Sequence, residues 1–339
     1  MSPALLAFFI GSVFFLSTLL TALLRRYAFT RGLLDHPNIR SSHTETTPKG
    51  GGAGIVITLI LAITILAVCG IMALDVFVVL AGGGAVVAMV GWWDDHGHVA
   101  VGIRLGLHAL AAGWALWRLG GMSALNIGLA SWDLGWVGHI LALVALVWLI
   151  NLYNFMDGID GLAGAEAVFA ATCSGLFLSL ARVPGLALAS WTLAGSVAGF
   201  LVWNWPPARV FMGDVGSGFL GFVFGVMLLV SVRQGSLPIW FWPILLGTFL
   251  VDATVTLLRR VIRGSRWYEA HRRHAYQHAA RRWGHLRVTV GVSVLNMVWL
   301  APLAWVAWRW PSASFGVMLA ALAPLVAAAF HLRAGERSA

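Results

Sequence analysis

The chain has 339 residues, of which 60% are hydrophobic and only 10% charged, with 18 Trp and 18 Phe. That balance excludes a soluble globular domain of this length and marks a chain whose outer surface meets lipid. Two cysteines, Cys69 and Cys173, carry no pairing or metal-ligand spacing and read as small buried hydrophobes, and the net charge of +9 follows from topology without any nucleic acid partner.

Apolar runs able to cross about 30 Å of hydrocarbon at about 1.5 Å per residue recur along the whole chain. In chain order they cover residues 4–24, 53–73, 76–92, 102–119, 137–153, 163–181, 187–203, 215–232, 239–258, 288–308 and 313–331. The expected fold is an all-α polytopic membrane protein of about 11 transmembrane helices, forming one integral-membrane domain over residues 1–339. The runs lack the ten-residue alternation of a membrane barrel. The first run has no basic leader and is followed at once by Arg25 and Arg26, so it is expected to remain as an anchor.

With the N-terminus outside and an odd number of spans, 18 of the 22 Lys and Arg fall inside, and only Arg118, Arg182, Arg233 and Arg309 fall outside. That asymmetry fits the positive-inside rule. A basic inner rim attracts anionic membrane lipids and phosphorylated substrates.

The acids collect on the same side. Of the 13 Asp and Glu, only Asp75 and Asp133 lie outside. Asp94 and Asp95 end the third span, Asp157 and Asp160 follow the fifth, Asp214 opens the eighth and Asp252 lies in the inner half of the ninth. Carboxylates at the edge of hydrocarbon are costly unless something pairs or uses them. Two adjacent acids at a helix C-terminus also face an unfavourable dipole, which a divalent cation or a cationic partner relieves. Scattered Asp beside a phosphate site suit Mg²⁺, with Mn²⁺ as an alternative, because Mg²⁺ takes one or two protein carboxylates together with water and phosphate oxygens. Zinc suits the chain less well, since its His residues show no His-Glu-x-x-His pattern and no cysteine partners.

Three further segments carry polar chemistry. Asn151, Asn154, Asp157 and Asp160 recur at intervals of three, and Gly158 and Gly161 among them permit a sharp break. Asn204 to Ser217 ends one helix with Pro206 and Pro207 and starts the next with Asp214 among glycines. The loop from Arg259 to Arg287 contains 9 Arg and 4 His. Arg supplies a planar fork for phosphate oxygens, and His donates or carries charge near neutral pH. In the first inner loop, Lys49 and the amides of Gly50 to Gly52 offer an anion site or simply a turn.

Taken together, Arg40-Ser41-Ser42-His43, Pro48-Lys49-Gly50-Gly51-Gly52, Asp94-Asp95, Asn151-x-x-Asn154-x-x-Asp157-Gly-Ile-Asp160-Gly-Leu and Phe211-Met-Gly-Asp214-x-Gly-Ser resemble the polyprenyl-phosphate N-acetylhexosamine-1-phosphate transferase superfamily. The resemblance runs through nearly every inner loop. It is nearest to the bacterial branch that initiates O-antigen and related surface glycans, through the Arg-Ser-Ser-His loop and His271-Arg272-Arg273-His274. Where the family commonly carries Asp or Lys three residues after its acid pair, this chain has His98.

The resemblance implies an enzyme of the bacterial inner membrane with its active site in cytoplasmic loops. UDP-sugar enters from the cytoplasm, undecaprenyl phosphate comes from the bilayer, and UMP leaves. It further implies Asp214 as the main Mg²⁺ ligand, and Asp94 or Asp95 as the group that orients or deprotonates the lipid phosphate, with Asp94 sharing the metal. Asn154, Asp157 and Asp160 are implied to hold the nucleotide, with Asn151 and Asn204 as further substrate-binding residues, and His271, Arg272 and His274 are implied at the diphosphate and sugar. Arg40, His43 and Lys49 are expected as further substrate contacts. The identity of the sugar, whether GlcNAc, FucNAc or QuiNAc type, and the oligomeric state, a homodimer included, stay open.

A transporter or flippase of lipid-linked sugars is the rival class. Its acids are expected near the bilayer midplane on broken helices of two related halves. Here they gather at one surface and no repeat is visible.

Overall fold

The computed structural model describes residues 2–37, 45–122, 124–126, 131–264 and 271–336. Arg40 and His43 lie outside the described residues. The chain forms thirteen helices among the described residues: α1 Pro3–Arg31, α2 Ala53–Val68, α3 Leu74–His96, α4 Val101–Leu119, α5 Trp136–Met156, α6 Leu162–Leu180, α7 Pro184–Asn204, α8 Asp214–Arg233, α9 Phe241–Leu245, α10 Gly247–Ile262, α11 Ala275–Trp283, α12 His285–Arg309 and α13 Pro311–His331. Helices α3 and α12 each contain a π-helical turn, at Val79–Gly83 and Asn296–Leu300. Two short antiparallel pairs complete the structure, β1 Leu34–Asp35 with β2 Thr47–Pro48, and β3 Ala124–Asn126 with β4 Ser131–Asp133.

Eight of the helices are long and apolar enough to span a membrane, namely α1, α3, α5, α6, α7, α8, α12 and α13. The chain is therefore an all-α, multi-pass membrane protein; eight of the eleven expected spans coincide with helices that meet this length and composition among the described residues. Of the remaining three, residues 53–73 form the 16-residue apolar α2. Residues 102–119 coincide with the 19-residue α4. The run 239–258 is broken: α9 ends at Leu245 and α10 begins at Gly247.

Helix α8 is the axis of the bundle. Almost all of its side chains are buried, against α3, α5 and α2. The close approach of α3 has a specific cause: a Cβ on Gly91 would collide with the backbone carbonyl of Asp214, while Gly83 and Gly84 lie against the rings of Phe222 and Phe219. Small residues allow such contacts between membrane helices, where packing rather than hydrophobic exclusion drives association. By contrast α1, α12 and α13 sit at the periphery and expose large apolar side chains such as Phe8, Phe15, Met297, Val298 and Phe330 to lipid. Cys173 is half-buried, but Cys69 is exposed, contrary to its reading as buried, because it caps the end of α2 rather than lying within a span.

The one carboxylate deep in α6, Glu166, is held by Asn296 of the π turn in α12 and by the Thr248 hydroxyl at 3.3 Å. This polar tie joins α6, α10 and α12 in a region where lipid offers no alternative partner.

Candidate active site

The C-termini of α3 and α5 and the N-termini of α4 and α8 meet at one end of the bundle. Asp94 and Asp95 are adjacent on α3, and successive helical residues point about 100° apart. They therefore meet different partners. Asp94 accepts from the Val99 amide at 2.8 Å and pairs with Arg104 Nη1 at 2.7 Å. The same Nη1 atom lies 2.9 Å from Asp214 Oδ2. Two carboxylates from different helices thus converge on one point, with Arg104 of α4 between them.

Asp95 is only 6% exposed, and both of its oxygens are engaged. Oδ1 accepts from the Asp214 amide and Oδ2 from the Val215 amide, each at 3.2 Å. Its carboxylate caps the positive end of α8, an arrangement that satisfies two orphan donors and suits the helix dipole. Gly213, with φ of 77°, lets the backbone turn beneath it, and a Cβ there would strike the Asp95 carboxylate. Lys49 is an electrostatic neighbour of Asp95.

The block at the C-terminal end of α5 divides into two groups. Asn154 donates to the Ser217 hydroxyl at 3.2 Å and is a hydrogen-bond neighbour of Asp214. Asp157 follows at the end of α5, and burial together with the charges of Asp214, Asp95 and Asp160 pushes its carboxyl well above the usual carboxylate range. Asn151 instead turns back on its own helix, donating to the Val147 carbonyl at 2.7 Å. Asn204 is buried, accepting from the Gly161 amide at 3.1 Å and donating to the Val210 carbonyl at 2.9 Å. Asp160 accepts from the Ala208 amide at 3.1 Å and lies 3.2 Å from His285 Nδ1. Asn204 and Asp160 therefore fasten the loops around the site together through protein partners.

The glycine-rich first loop is likewise occupied by protein. Gly51 and Gly52 donate to the carbonyls of Phe211 and Met212 at 3.0 and 2.9 Å, and Phe211 donates back to Pro48 at 2.8 Å. A Cβ on Gly52 would stand 2.5 Å from the Gly216 Cα. These two amides are engaged rather than open to an anion, and through them the turn braces the start of α8.

The basic loop is fixed by Asp252 of α10. Its Oδ1 accepts from the Ala275 amide at 2.9 Å and the Thr256 hydroxyl at 3.1 Å and lies 3.2 Å from His274 Nδ1, while Oδ2 accepts from the Tyr276 amide at 2.9 Å. Like Asp95, it caps a helix from a neighbouring element, here α11. The Tyr276 hydroxyl donates to the Phe155 carbonyl at 2.9 Å and fills the space a Cβ on Gly158 would need. This bridge ties the basic loop to the carboxylate block. His271 stacks on His274 with ring centroids 5.0 Å apart, and burial, then the charges of His274, Arg260 and Arg273, lower its pKa to about 3. His271 is accordingly a neutral ring at physiological pH. Arg272 is half-buried beside it, while His98 is exposed.

Sequence reasoning missed Arg104, counted only as an inside charge, and the clamping roles of Asp252 and Tyr276. A basic residue at the start of a span, facing a ring of acids, is the signal that Arg104 offered.

The donor set fits a hard cation. Asp94 and Asp214 present oxygens to a common point and Asp157 stands nearby, which matches the one or two carboxylates that Mg²⁺ takes. Among the described residues no group of three or more His, Cys, Asp and Glu forms a closed metal cage.

A family model, Glycosyl transferase family 4, matches residues 76–232, the segment that holds Asp94, Arg104, Asn154, Asp157 and Asp214. A phospho-N-acetylmuramoyl-pentapeptide-transferase of Moorella thermoacetica is 33% identical over 256 residues, covering 69% of this chain and 77% of that protein. The chain belongs to the polyprenyl-phosphate hexosamine-1-phosphate transferase family. Also similar are a probable undecaprenyl-phosphate N-acetylglucosaminyl 1-phosphate transferase of Bacillus subtilis, 28% identical over 262 residues with 72% and 68% coverage, and an undecaprenyl-phosphate alpha-N-acetylglucosaminyl 1-phosphate transferase of Yersinia pestis, 28% identical over 315 residues with 88% and 83% coverage. In this transferase the Asp252 clamp and the basic loop lie beyond the segment that the family model matches.

The backbone contact between α3 and α8 gives a first prediction. Gly91→Ala forces the helices apart at Asp214, and overpacking of this kind costs about 1–3 kcal/mol. A lower melting temperature in detergent, with turnover reduced beyond the loss of folded protein, is the expected result. An unchanged melt and unchanged turnover would mean that α3 and α8 tolerate separation at the site.

Proposed function

We propose that the protein transfers a sugar 1-phosphate, N-acetylhexosamine 1-phosphate in the first instance, from a UDP-sugar to undecaprenyl phosphate, giving undecaprenyl-diphosphate-sugar and UMP. The observation that carries this reading is the convergence of Asp94 and Asp214 at one end of a membrane bundle, beside a loop rich in Arg and His. The names of the relatives support the same chemistry. On this reading the acidic end faces the cytoplasm of a bacterial inner membrane, the N-terminus lies outside, and the product starts a surface polysaccharide.

An oxygen of the lipid phosphate attacks the phosphorus that bears the sugar. The bond from that phosphorus to the bridging oxygen breaks, and UMP departs with the oxygen. A phosphate monoester has a second pKa of about 6, so the acceptor is largely dianionic at neutral pH and a strong base is not required. Positioning and charge neutralisation supply most of the acceleration in such a transfer. Asp94 and Asp214 would hold Mg²⁺, or Mn²⁺ in its place, and the ion, when bound, would offset charge on the phosphoryl oxygens. Asp94 also orients the lipid phosphate. Asp95, with both oxygens engaged by α8, positions Asp214.

Asn154 and Asp157 face the nucleotide. Asp160, Asn204 and Asn151 shape the walls, and His271, Arg272 and His274 meet the diphosphate and sugar. Lys49, together with Arg40 and His43, completes the substrate contacts on the first loop.

The test is incubation of purified protein with undecaprenyl phosphate and a panel of UDP-N-acetylhexosamines, with Mg²⁺ or with EDTA, following UMP and the lipid product. Metal-dependent formation of both is expected, and the donor that reacts identifies the sugar. Failure of every donor in folded protein, beside a working control enzyme, would overturn the reading.

A further inference from the structure

Residues 332–336, which follow α13, do not trail into solvent. They fold back on α10 and reach the basic loop. Arg259 Nη1 donates to the Ala334 carbonyl at 2.6 Å, and Arg259 Nη2 pairs with Glu336 Oε1 at 2.5 Å. Arg263 reaches the same Glu336 oxygen at 3.1 Å, and the Arg259 guanidinium lies over the Phe330 ring, 4.8 Å from its centroid. Between these contacts, the Gly335 amide donates to the Arg273 carbonyl at 2.6 Å.

Gly335 is suited to that position for two reasons. Its φ is 80°, and a Cβ would stand 2.9 Å from the Arg259 Cβ, so a larger residue would lift the segment off α10. Ala334 beside it is fully buried.

Arg273 sits between Arg272 and His274. Asp252 fixes the loop at the His274 ring and the amides of Ala275 and Tyr276. The carbonyl of Arg273 is held by the C-terminal segment instead, and Arg281 supports the Arg272 carbonyl at 3.1 Å from the far side.

We propose that Ala334–Glu336 is a latch that holds the basic loop in its donor-binding position, with Glu336 as the positioning residue that clamps the segment to Arg259 and Arg263. This rests on the reading of His271, Arg272 and His274 as donor contacts. The latch touches none of the carboxylates of the candidate metal site, so it acts on donor affinity rather than on the chemical step.

The test uses the full chain in detergent with Glu336→Ala, Glu336→Asp and Arg263→Gln, the last keeping Arg259 in place should Glu336→Ala fold poorly. Two measurements are made: KM for the UDP-sugar and for undecaprenyl phosphate alongside kcat, and hydrogen exchange at residues 271–277 without substrate. Glu336→Ala is expected to raise the donor KM about fivefold, to leave kcat and the acceptor KM unchanged, and to speed exchange in the loop; Glu336→Asp recovers most of both effects, and Arg263→Gln gives a smaller change, as the more exposed partner should. An unchanged donor KM, or a parallel fall of every kinetic constant with the melting temperature, would overturn the latch. If the wild-type protein turns over no donor, the functional reading fails by itself, and the exchange rates still decide whether Glu336 holds the loop.

Discussion

Asp214→Asn is expected to lower turnover about 10³-fold in protein that remains folded, the scale seen when one preorganised electrostatic group is lost from a site of charge development. The substitution keeps the shape of the side chain and the backbone amide that Asp95 accepts from, so α8 retains its cap. What changes is charge at the point where Asp214 and Asp94 converge on Arg104. Arg104 keeps Asp94 as a partner, so no buried guanidinium is abandoned. Asp94→Asn is expected to match it, since the Val99 amide still finds a carbonyl acceptor. A second readout separates lost chemistry from lost metal. Millimolar Mg²⁺ or Mn²⁺ is expected to raise the melting temperature of the wild type, because a ligand that binds only the folded state stabilises it, and to do so much less in either variant. Wild-type turnover in Asp214→Asn would remove that residue from the mechanism. An undiminished shift of the melt by metal would remove it from the candidate metal site.

How far the site could be read in advance depends on what kind of information each part needs. The spans follow from apolar runs, which lipid imposes on any crossing helix. The clustering of acids at one end follows from the spans. The adjacent pair Asp94-Asp95 was legible as chemistry, but the division between them was not. On a helix the two point in different directions, and only the phase of α3 against α8, fixed by Gly84 and Gly91, decides which one meets Arg104 and which one caps α8. The break between Leu245 and Gly247 was hidden for another reason. The run through it is predominantly apolar, and hydropathy does not register an interruption of one residue at Leu246. Asn204 and Asp160 looked like ligand groups because they are polar at the edge of hydrocarbon. In the structure Asn204 meets the Gly161 amide and Asp160 meets the Ala208 amide and the His285 ring, groups far away in sequence, and such pairings depend on the whole fold.

The same consideration makes Asp252 the residue whose loss should matter most outside the candidate metal site. One buried carboxylate collects the Thr256 hydroxyl, the His274 ring and the amides of Ala275 and Tyr276. Asp252→Ala leaves both amides at the start of α11 without an acceptor, and each buried donor left unpaired costs roughly 1–3 kcal/mol. The helix has a cheaper course than bearing that cost, which is to leave the bundle and meet water. It takes with it the Tyr276 hydroxyl from Phe155 and the stacked pair of His271 and His274. The expected outcome is therefore local. The transmembrane core keeps most of its melting temperature, while exchange at residues 271–283 rises to near the rate of an open loop and the donor KM increases more than the roughly tenfold that a loss of about 1.4 kcal/mol produces. Asp252→Asn, which retains one acceptor but turns a donor toward one of the amides, should fall between. If instead the whole protein unfolds in one step with α11, the clamp belongs to the core of the fold, and the basic loop is not a separately movable part of the donor site.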